Sequence, residues 1–283
     1  MTDAPRPRTD PLLVKWTLVG LTLGIVGLLV VVPLASVFWQ ALGGGLGAYW
    51  HNLTGDPDTR HAVFLTLVVA PVAVALNTVF GVAAAYTLAR FRFPGRTLLT
   101  TLIDLPFSVS PVVAGLVFVL LFGLQTPLGG WLKSHGYQVI FAAPGLVLVT
   151  VFVTVPFVAR ELLPVLEAQG PDEEFAARSL GASGWQMFWR VTLPNLRWGL
   201  LYGVILCNAR AMGEFGAIYV VSGRVGGRTD TMPLRVEKLF QEYNQPAAFA
   251  LASVLTLLAV GTLVLKVVVV GRLRSDTNGE RPV

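Results

Sequence analysis

Charged side chains are scarce in this sequence, and their scarcity sets the class of protein. Only 13% of the 283 residues are Asp, Glu, Lys or Arg, whereas 54% are hydrophobic. Soluble domains usually carry about 25% charged residues, so a water-soluble fold is excluded. Several runs of about 20 residues with few or no charges match the ~30 Å hydrocarbon core of a bilayer. The sequence therefore predicts an all-α integral membrane protein.

Several chemical motifs are also missing. The single cysteine, Cys207, excludes an internal disulfide, and we expect it to serve in helix packing. The three histidines are too far apart along the chain to suggest a metal site, and neither G-x-S-x-G nor H-E-x-x-H occurs. These absences predict a protein that is not an enzyme and has no metal or cofactor of its own. The basic residues lie between apolar runs rather than in one patch, which favours membrane lipid over nucleic acid as a partner.

The apolar runs predict six transmembrane helices within residues 16–270, between an N-terminal tail (1–15) and a C-terminal tail (271–283). Two prolines, Pro106 and Pro111, interrupt the third run near its start and predict a kink or break there. The predicted spans are 17–41, 62–89, 105–124, 139–159, 198–221 and 247–270.

The distribution of Lys and Arg predicts the orientation of these spans. Of the 21 basic residues, 14 lie on the side of the N-terminus, six lie on the opposite side and Arg210 lies within a span. Because basic residues are enriched in cytoplasmic loops, both termini and the polar segment 171–194 are predicted to be cytoplasmic. The four cations at 224–238 are predicted to lie on the outer side, where this rule expects few basic residues. They are either an exception to the rule or serve to attract an anion.

The polar segment 171–194 has a helical pattern of its own. Acidic residues at its start and Arg178 further on suit the two ends of a short helix, and Gly181 is expected to end that helix. Ser183 and Gln186 have the spacing of a capping box, which predicts a second helix. The segment is predicted to fold as two short helices joined at a glycine.

The spacing of residues in this segment resembles the EAA loop of bacterial ABC-importer permeases, where the membrane subunit meets its ATPase. The family usually has Glu directly before two alanines, whereas this sequence has Phe175 there and Glu174 one place earlier. The resemblance implies that the loop docks on ATPase subunits, which would bind the ATP, since the chain has no P-loop. The residues that it assigns to ATPase coupling are Glu174, Ala176, Ala177, Gly181, Val191, Leu193 and Pro194.

Segments 88–96, 105–115, 208–216 and 233–244 resemble sulfate/thiosulfate importer permeases, most closely their W-type subunit. That resemblance implies a type I ABC-importer permease fold, alternating access and a bacterial inner-membrane location. It also implies a second permease subunit, related or identical, and an extracytoplasmic sulfate-binding protein. Molybdate and tungstate permeases share much of this sequence pattern, so a molybdate or tungstate permease is the alternative. An ion-coupled secondary carrier or a membrane scaffold is a more distant alternative.

Arg210 and Glu214 are the most conspicuous ionisable residues within a predicted span. Their spacing of four residues places both on one face of a helix, where they can pair. Such residues usually face a protein interior or a water path, so the pair either lines an anion path or fastens two helices together. Ser108 and Ser110 have two interpretations as well, since they either line the path or bond to carbonyls that the nearby prolines leave free.

Overall fold

The computed structural model describes residues 12–279 of the chain, and side chains within 14–268. The N-terminal tail therefore lies almost wholly outside the described residues. In the described part every regular element is helical. The helices, in chain order, are α1 (Leu12–Val26), α2 (Val32–Leu42), α3 (Gly45–Thr54), α4 (Pro57–Arg90), α5 (Arg96–Ser108), α6 (Pro111–Phe122), α7 (Pro127–Ser134), α8 (Ala143–Gln169), α9 (Asp172–Ser179), α10 (Gly184–Met187), α11 (Leu193–Met212), α12 (Gly216–Ser222), α13 (Met232–Gln241) and α14 (Gln245–Gly279).

Four of the predicted spans are continuous and two are broken. The continuous ones are Val14–Leu42, in which a π-helical turn joins α1 to α2, together with α4, α8 and the apolar part of α14. In the third span α5 and α6 meet at 110°, so the break predicted there is confirmed. The fifth span was predicted as one helix over 198–221, which is wrong. It is broken after α11, and α12 continues at an angle of 53°.

The ends of several helices differ from the sequence prediction. Helix α8 does not stop near residue 159 but continues for ten more residues to Gln169, with Pro156 and Pro164 inside it. Helix α14 continues through Gly279, so the described part of the predicted C-terminal tail is helical. Two segments predicted as loops contain the short helices α3 and α7. Amphipathic patterns of eight to ten residues are weak signals beside long apolar runs.

Helices α4 and α11 pack against α8 to form the centre of the molecule. A Cβ added to Gly81 of α4 would lie 2.7 Å from the Cβ of Val158, and one added to Gly203 of α11 would lie 3.3 Å from the Val158 Cα. Small residues therefore allow two helix backbones to approach α8 at the same level, as they do in many membrane bundles.

A polar cluster lies inside this apolar centre. The Asn77 side chain of α4 donates to the Thr154 hydroxyl at 2.8 Å and to the Val151 carbonyl at 3.1 Å. Cys207 of α11 is fully buried beside them, with its Sγ 3.7 Å from the Thr154 carbonyl oxygen. The packing role predicted for Cys207 is confirmed, and the asparagine joins α4 to α8.

Helix α13 is partly buried. The apolar residues Val236, Leu239, Phe240 and Tyr243 have the spacing of one helical face, and of these Leu239 is buried, whereas Phe240 and Tyr243 are exposed. The buried residues of α13 are Met232, Leu234, Arg235 and Leu239. A buried arginine could not be expected from the sequence, because charged residues are rarely buried without a partner and that partner is distant along the chain.

Candidate functional site

The segment 171–194, here called the coupling loop, folds as two short helices that turn at a glycine. Gly181 has a φ of +88°, a left-handed conformation that glycine adopts without strain. The predicted capping box is present, since Ser183 and Gln186 each bond to the backbone of the other. Helix α10 then passes through a π-helical turn, Phe188–Thr192, directly into α11. The second half of the coupling loop is therefore continuous with the fifth span.

Large apolar side chains cover the outer face of the coupling loop. Leu180 is 89% exposed and Trp185 is 72% exposed, and Phe175 and Trp189 are exposed as well. These four residues form what we call the apolar patch. Of the other residues that the resemblance assigned to the loop, Ala176 and Pro194 are exposed, whereas Ala177, Val191 and Leu193 are half-buried. Apolar surface of this kind next to polar residues is typical of a protein-protein contact.

A buried carboxylate fixes the first half of the coupling loop to two membrane helices. Glu174 is only 7% exposed, and its Oε2 and Oε1 accept hydrogen bonds from Arg90 Nε at 3.0 Å and Arg90 Nη2 at 3.1 Å. Thr192 Oγ1 donates to Glu174 Oε1 at 3.0 Å. Arg90 also donates to the carbonyl oxygens of Leu166 at 2.9 Å and Gly170 at 2.8 Å. Four parts of the chain thus meet at one ion pair.

We call Arg90, Glu174 and Thr192 the anchor cluster, to which Tyr86 contributes a longer contact of 3.5 Å between Oη and Glu174 Oε2. The resemblance assigned Glu174 to the contact with an ATPase, but its carboxylate points into the permease itself. From the sequence, Arg90 counted as a charge that marks the cytoplasmic side and as part of segment 88–96, and no site role was predicted for Arg90, Tyr86 or Thr192. The only sequence signal for this cluster is a carboxylate displaced by one residue from its usual place.

The two helix breaks in the membrane domain lie against each other. A Cβ on Gly115 of α6 would be 2.7 Å from the Ala217 carbonyl oxygen of α12, and one on Gly216 would be 3.2 Å from Pro111. A side chain at Gly115 would therefore clash with the α12 backbone, and one at Gly216 would force Pro111 to move by a few tenths of an ångström. The breaks of the third and fifth spans form one structural unit.

Arg210 and Glu214 meet at this double break. Glu214 Oε2 lies 2.5 Å from Arg210 Nη1, an ion pair rather than an aligned hydrogen bond. The prediction that they share a helix face is wrong in one respect, because α11 ends at Met212 and Glu214 lies in the break. Glu214 Oε1 accepts a hydrogen bond from the Ala217 backbone nitrogen at 2.9 Å, in the first turn of α12. The glutamate is 1% exposed, whereas about a third of the arginine side chain is exposed.

Ser108 and Ser110 lie at the neighbouring break, and both are exposed. Within the described part of the chain, neither hydroxyl makes a hydrogen bond, so the repair of free carbonyls expected as one interpretation is not seen. Ser110 is the residue before α6, and its carbonyl oxygen accepts from the Ala114 nitrogen at 2.9 Å. Both serines remain proposed for the translocation path, because they are exposed at the break of the third span.

Most of the cations at 224–238 are neutralised by carboxylates. Arg224 pairs with Glu237 at 2.6 Å, and Lys238 lies 3.4 Å from Asp230. The buried Arg235 donates from Nη2 to Asp56 Oδ2 at 2.6 Å. The remaining cation, Arg228, is exposed. Paired cations attract anions weakly, so this segment gives little support to the idea that it collects a substrate anion.

Asp56 also caps the start of α4, since its carboxylate accepts from the backbone nitrogens of Asp58 and Thr59. Burial by itself raises the pKa of Asp56, but the hydrogen bonds from Thr59, Arg235 and the Asp58 backbone, together with the charge of Arg235, outweigh burial, and the net pKa is lowered. Within the described residues no group of three or more His, Cys, Asp or Glu side chains has a metal-binding arrangement.

A family match assigns this arrangement of spans, breaks and exposed loop to an importer permease. Residues 77–275 match the family described as "Binding-protein-dependent transport system inner membrane component". The chain belongs to that family, and it is a multi-pass membrane transport subunit rather than an enzyme.

Several relatives of this chain have names that specify sulfate transport. The chain is 54% identical over 262 residues to "Sulfate transport system permease protein CysW" of Escherichia coli (strain K12), which covers 93% of this chain and 90% of the relative. A CysW protein from Synechocystis is also 54% identical, over 89% of this chain and 91% of that protein. The E. coli "Sulfate transport system permease protein CysT" is 40% identical, over 87% and 88%. The resemblance to W-type sulfate importer permeases is confirmed.

The fold matches a crystal structure of a bacterial ABC transporter that imports the polysaccharide alginate. The TM-score is 0.73 at 16% sequence identity, and the match covers 93% of this chain and 95% of that chain. The predicted fold, that of a type I ABC-importer permease, is confirmed.

Proposed function

We propose that this chain is a permease subunit through which sulfate or thiosulfate crosses the bacterial inner membrane in an ATP-driven importer. One observation carries the proposal. The second half of the coupling loop, which carries Trp185 and Trp189 of the apolar patch, continues through the π-helical turn into α11, and the Arg210–Glu214 pair lies at the far end of α11 and in the break that follows it. A surface suited to a motor subunit is thereby connected by a continuous helical stretch to a charged group within the membrane. The printed names of the curated relatives support sulfate as the substrate.

The proposal includes an orientation. Both termini and the coupling loop are cytoplasmic, in keeping with the excess of basic residues on that side. The apolar patch docks on an ABC ATPase, which binds the ATP. A second, related permease completes the pathway, and an extracytoplasmic sulfate-binding protein delivers the anion. CysT and CysW relatives, and a solved alginate transporter in complex with its periplasmic protein, support this composition.

In this proposal Arg210 provides the positive charge for a dianion at the double break. Its guanidinium is partly exposed, while Glu214 holds it in place and caps α12. A guanidinium can bond an oxyanion through two parallel N–H groups, which a single lysine cannot do. ATP binding and hydrolysis would alternately open the two sides of the break. The anion would cross the membrane without any covalent bond being made or broken.

Uptake of radiolabelled sulfate tests the proposal. Cells without a sulfate importer would express this chain with the related permease, the ATPase and the binding protein, and the control would omit this chain. We expect sulfate uptake to require both this chain and an active ATPase. Excess unlabelled thiosulfate should suppress that uptake. Suppression by molybdate at lower concentration than by thiosulfate would favour the molybdate alternative. Uptake that persists with an inactive ATPase would contradict the ATP-driven importer.

A further inference from the structure

The anchor cluster is buried within the permease, whereas a residue that docks on another protein must be accessible to it. The side chains of Arg90 and Glu174 are 10% and 9% exposed, and both carboxylate oxygens are occupied by donors from this chain. The exposed apolar patch lies on other residues of the same loop. The carboxylate therefore has no free face to offer to another protein.

Each partner of Glu174 lies at the end of a different membrane element. Arg90 is the last residue of α4, and its guanidinium also binds two carbonyl oxygens at the end of α8, those of Leu166 and Gly170. Carbonyls at a helix end lack partners within the helix, so an arginine there satisfies them and suits the helix dipole. Thr192 ends the π-helical turn that leads into α11.

We propose that Glu174 is a positioning residue that locks the coupling loop to α4, α8 and α11, so that a displacement of the loop by the ATPase moves these spans together. The inference rests on the proposed function, and it assigns the loop's glutamate to force transmission instead of ATPase contact. Thr192 and Arg210 are 18 residues apart on one continuous helical stretch, which is about 27 Å at 1.5 Å per residue. A displacement at the anchor cluster can thus reach the double break.

A neighbouring ion pair provides a matched control. Arg96 and Glu167 also join α5 to α8 through an Nη2–Oε1 contact of 3.0 Å, but their side chains are 46% and 51% exposed. Exposed pairs of this kind contribute little to stability. Arg→Lys and Glu→Gln substitutions at this exposed pair should therefore leave transport unchanged. An effect seen only at the anchor cluster would then come from its burial and hydrogen bonds and not from the loss of a charge as such.

The experiment uses the whole importer in proteoliposomes and measures two quantities, the ATP hydrolysed per sulfate transported and the amount of ATPase that co-purifies. The variants are Glu174→Gln, which keeps the shape of the side chain and loses its charge, and Arg90→Lys, which keeps the charge and loses the pair of hydrogen bonds that the guanidinium makes to the carboxylate. We expect normal co-purification and a roughly tenfold rise in ATP per sulfate, the factor that one hydrogen bond to a charged group provides. Arg96→Lys and Glu167→Gln should behave as the unchanged protein.

A milder pair of variants guards against poor insertion. Thr192→Val removes one donor to Glu174 and leaves the ion pair intact, and Thr192→Ser restores the donor. We expect Thr192→Val to raise the ATP cost per sulfate and Thr192→Ser to return it to the original value. An unchanged ratio in all of the variants, even with less protein in the membrane, would overturn the positioning role. So would loss of the ATPase from Glu174→Gln. If the unchanged protein retained no ATPase, the proposed function itself would fail.

Discussion

Gly81 of α4 lies so close to Val158 of α8 that a Cβ at Gly81 would stand 2.7 Å from the Cβ of Val158 and 3.0 Å from the Ala159 backbone nitrogen. The neighbouring atoms are backbone and a β-branched side chain, neither of which can move aside without shifting a helix. Helices in membranes associate through such close packing, because lipid tails give little hydrophobic driving force between them. The contact fixes the spacing of the two central helices.

Gly81→Ala should therefore destabilise the permease by about 1–3 kcal/mol, the usual cost of extra volume in a filled core. Gly261→Ala in α14 is the control, because nothing lies within 4 Å of the Cβ it would add. Thermal unfolding of the purified complex in detergent would measure both. Equal melting temperatures for the two variants would show that α4 and α8 do not meet as closely as described.

The apolar patch supports a second prediction, about assembly. Leu180→Glu should strongly reduce co-purification of the ATPase, since a charge buried in an apolar contact is left without a partner. The amount of permease in the membrane should stay the same, because Leu180 is 89% exposed and contributes little to the fold.

Tyr243→Glu is the matched control for Leu180→Glu. Tyr243 is also 89% exposed, but it lies in the segment that joins α13 to α14, away from the coupling loop. We expect it to leave ATPase co-purification unchanged. Loss of the ATPase with Tyr243→Glu alone would place the docking surface outside the coupling loop.

The sequence was informative where one physical signal dominates. Long apolar runs located the spans, and the prolines at 106 and 111 located the first break. The capping box at Ser183 and Gln186 was readable because its bonds are local. The same holds for the glycine turn of the coupling loop, whose spacing resembled a known motif.

The sequence did not predict features that depend on contacts distant along the chain. The break after Met212 has no proline, and it forms where Glu214 accepts from the first turn of α12. The anchor cluster joins residues 84 positions apart, and Arg235 finds its carboxylate 179 positions away. Such partners are set by the packing of whole helices, so periodicity and local spacing carry no information about them.

Orientation can be tested by labelling single cysteines with an impermeant maleimide in intact cells. Cysteines placed next to Asp56 and Lys133 should react, and those next to Arg96 and Gly184 should not, because 14 of the 21 basic residues mark the second pair as cytoplasmic. The native Cys207 is fully buried and should give little background. Labelling near Gly184 from outside would overturn the cytoplasmic coupling loop and the proposed contact with the ATPase.

The final prediction concerns the charges at the double break. Glu214 is 1% exposed, so Arg210→Met leaves a buried carboxylate without its cation, a change that costs about 3 kcal/mol or more. Glu214→Leu also removes the acceptor for the Ala217 nitrogen. Each single variant should therefore lower the amount of folded permease, which immunoblotting of membranes would measure.

The double variant Arg210→Met with Glu214→Leu separates structure from transport. Replacing both members of a buried pair by apolar residues can be nearly neutral, so abundance should recover in large part. If Arg210 binds the passing dianion, sulfate uptake and substrate-stimulated ATP hydrolysis should nevertheless stay lost, because the double variant lacks the guanidinium that binds it. Full uptake by a well-inserted double variant would instead show that the pair only fastens α11 to α12, and that the anion path lies elsewhere.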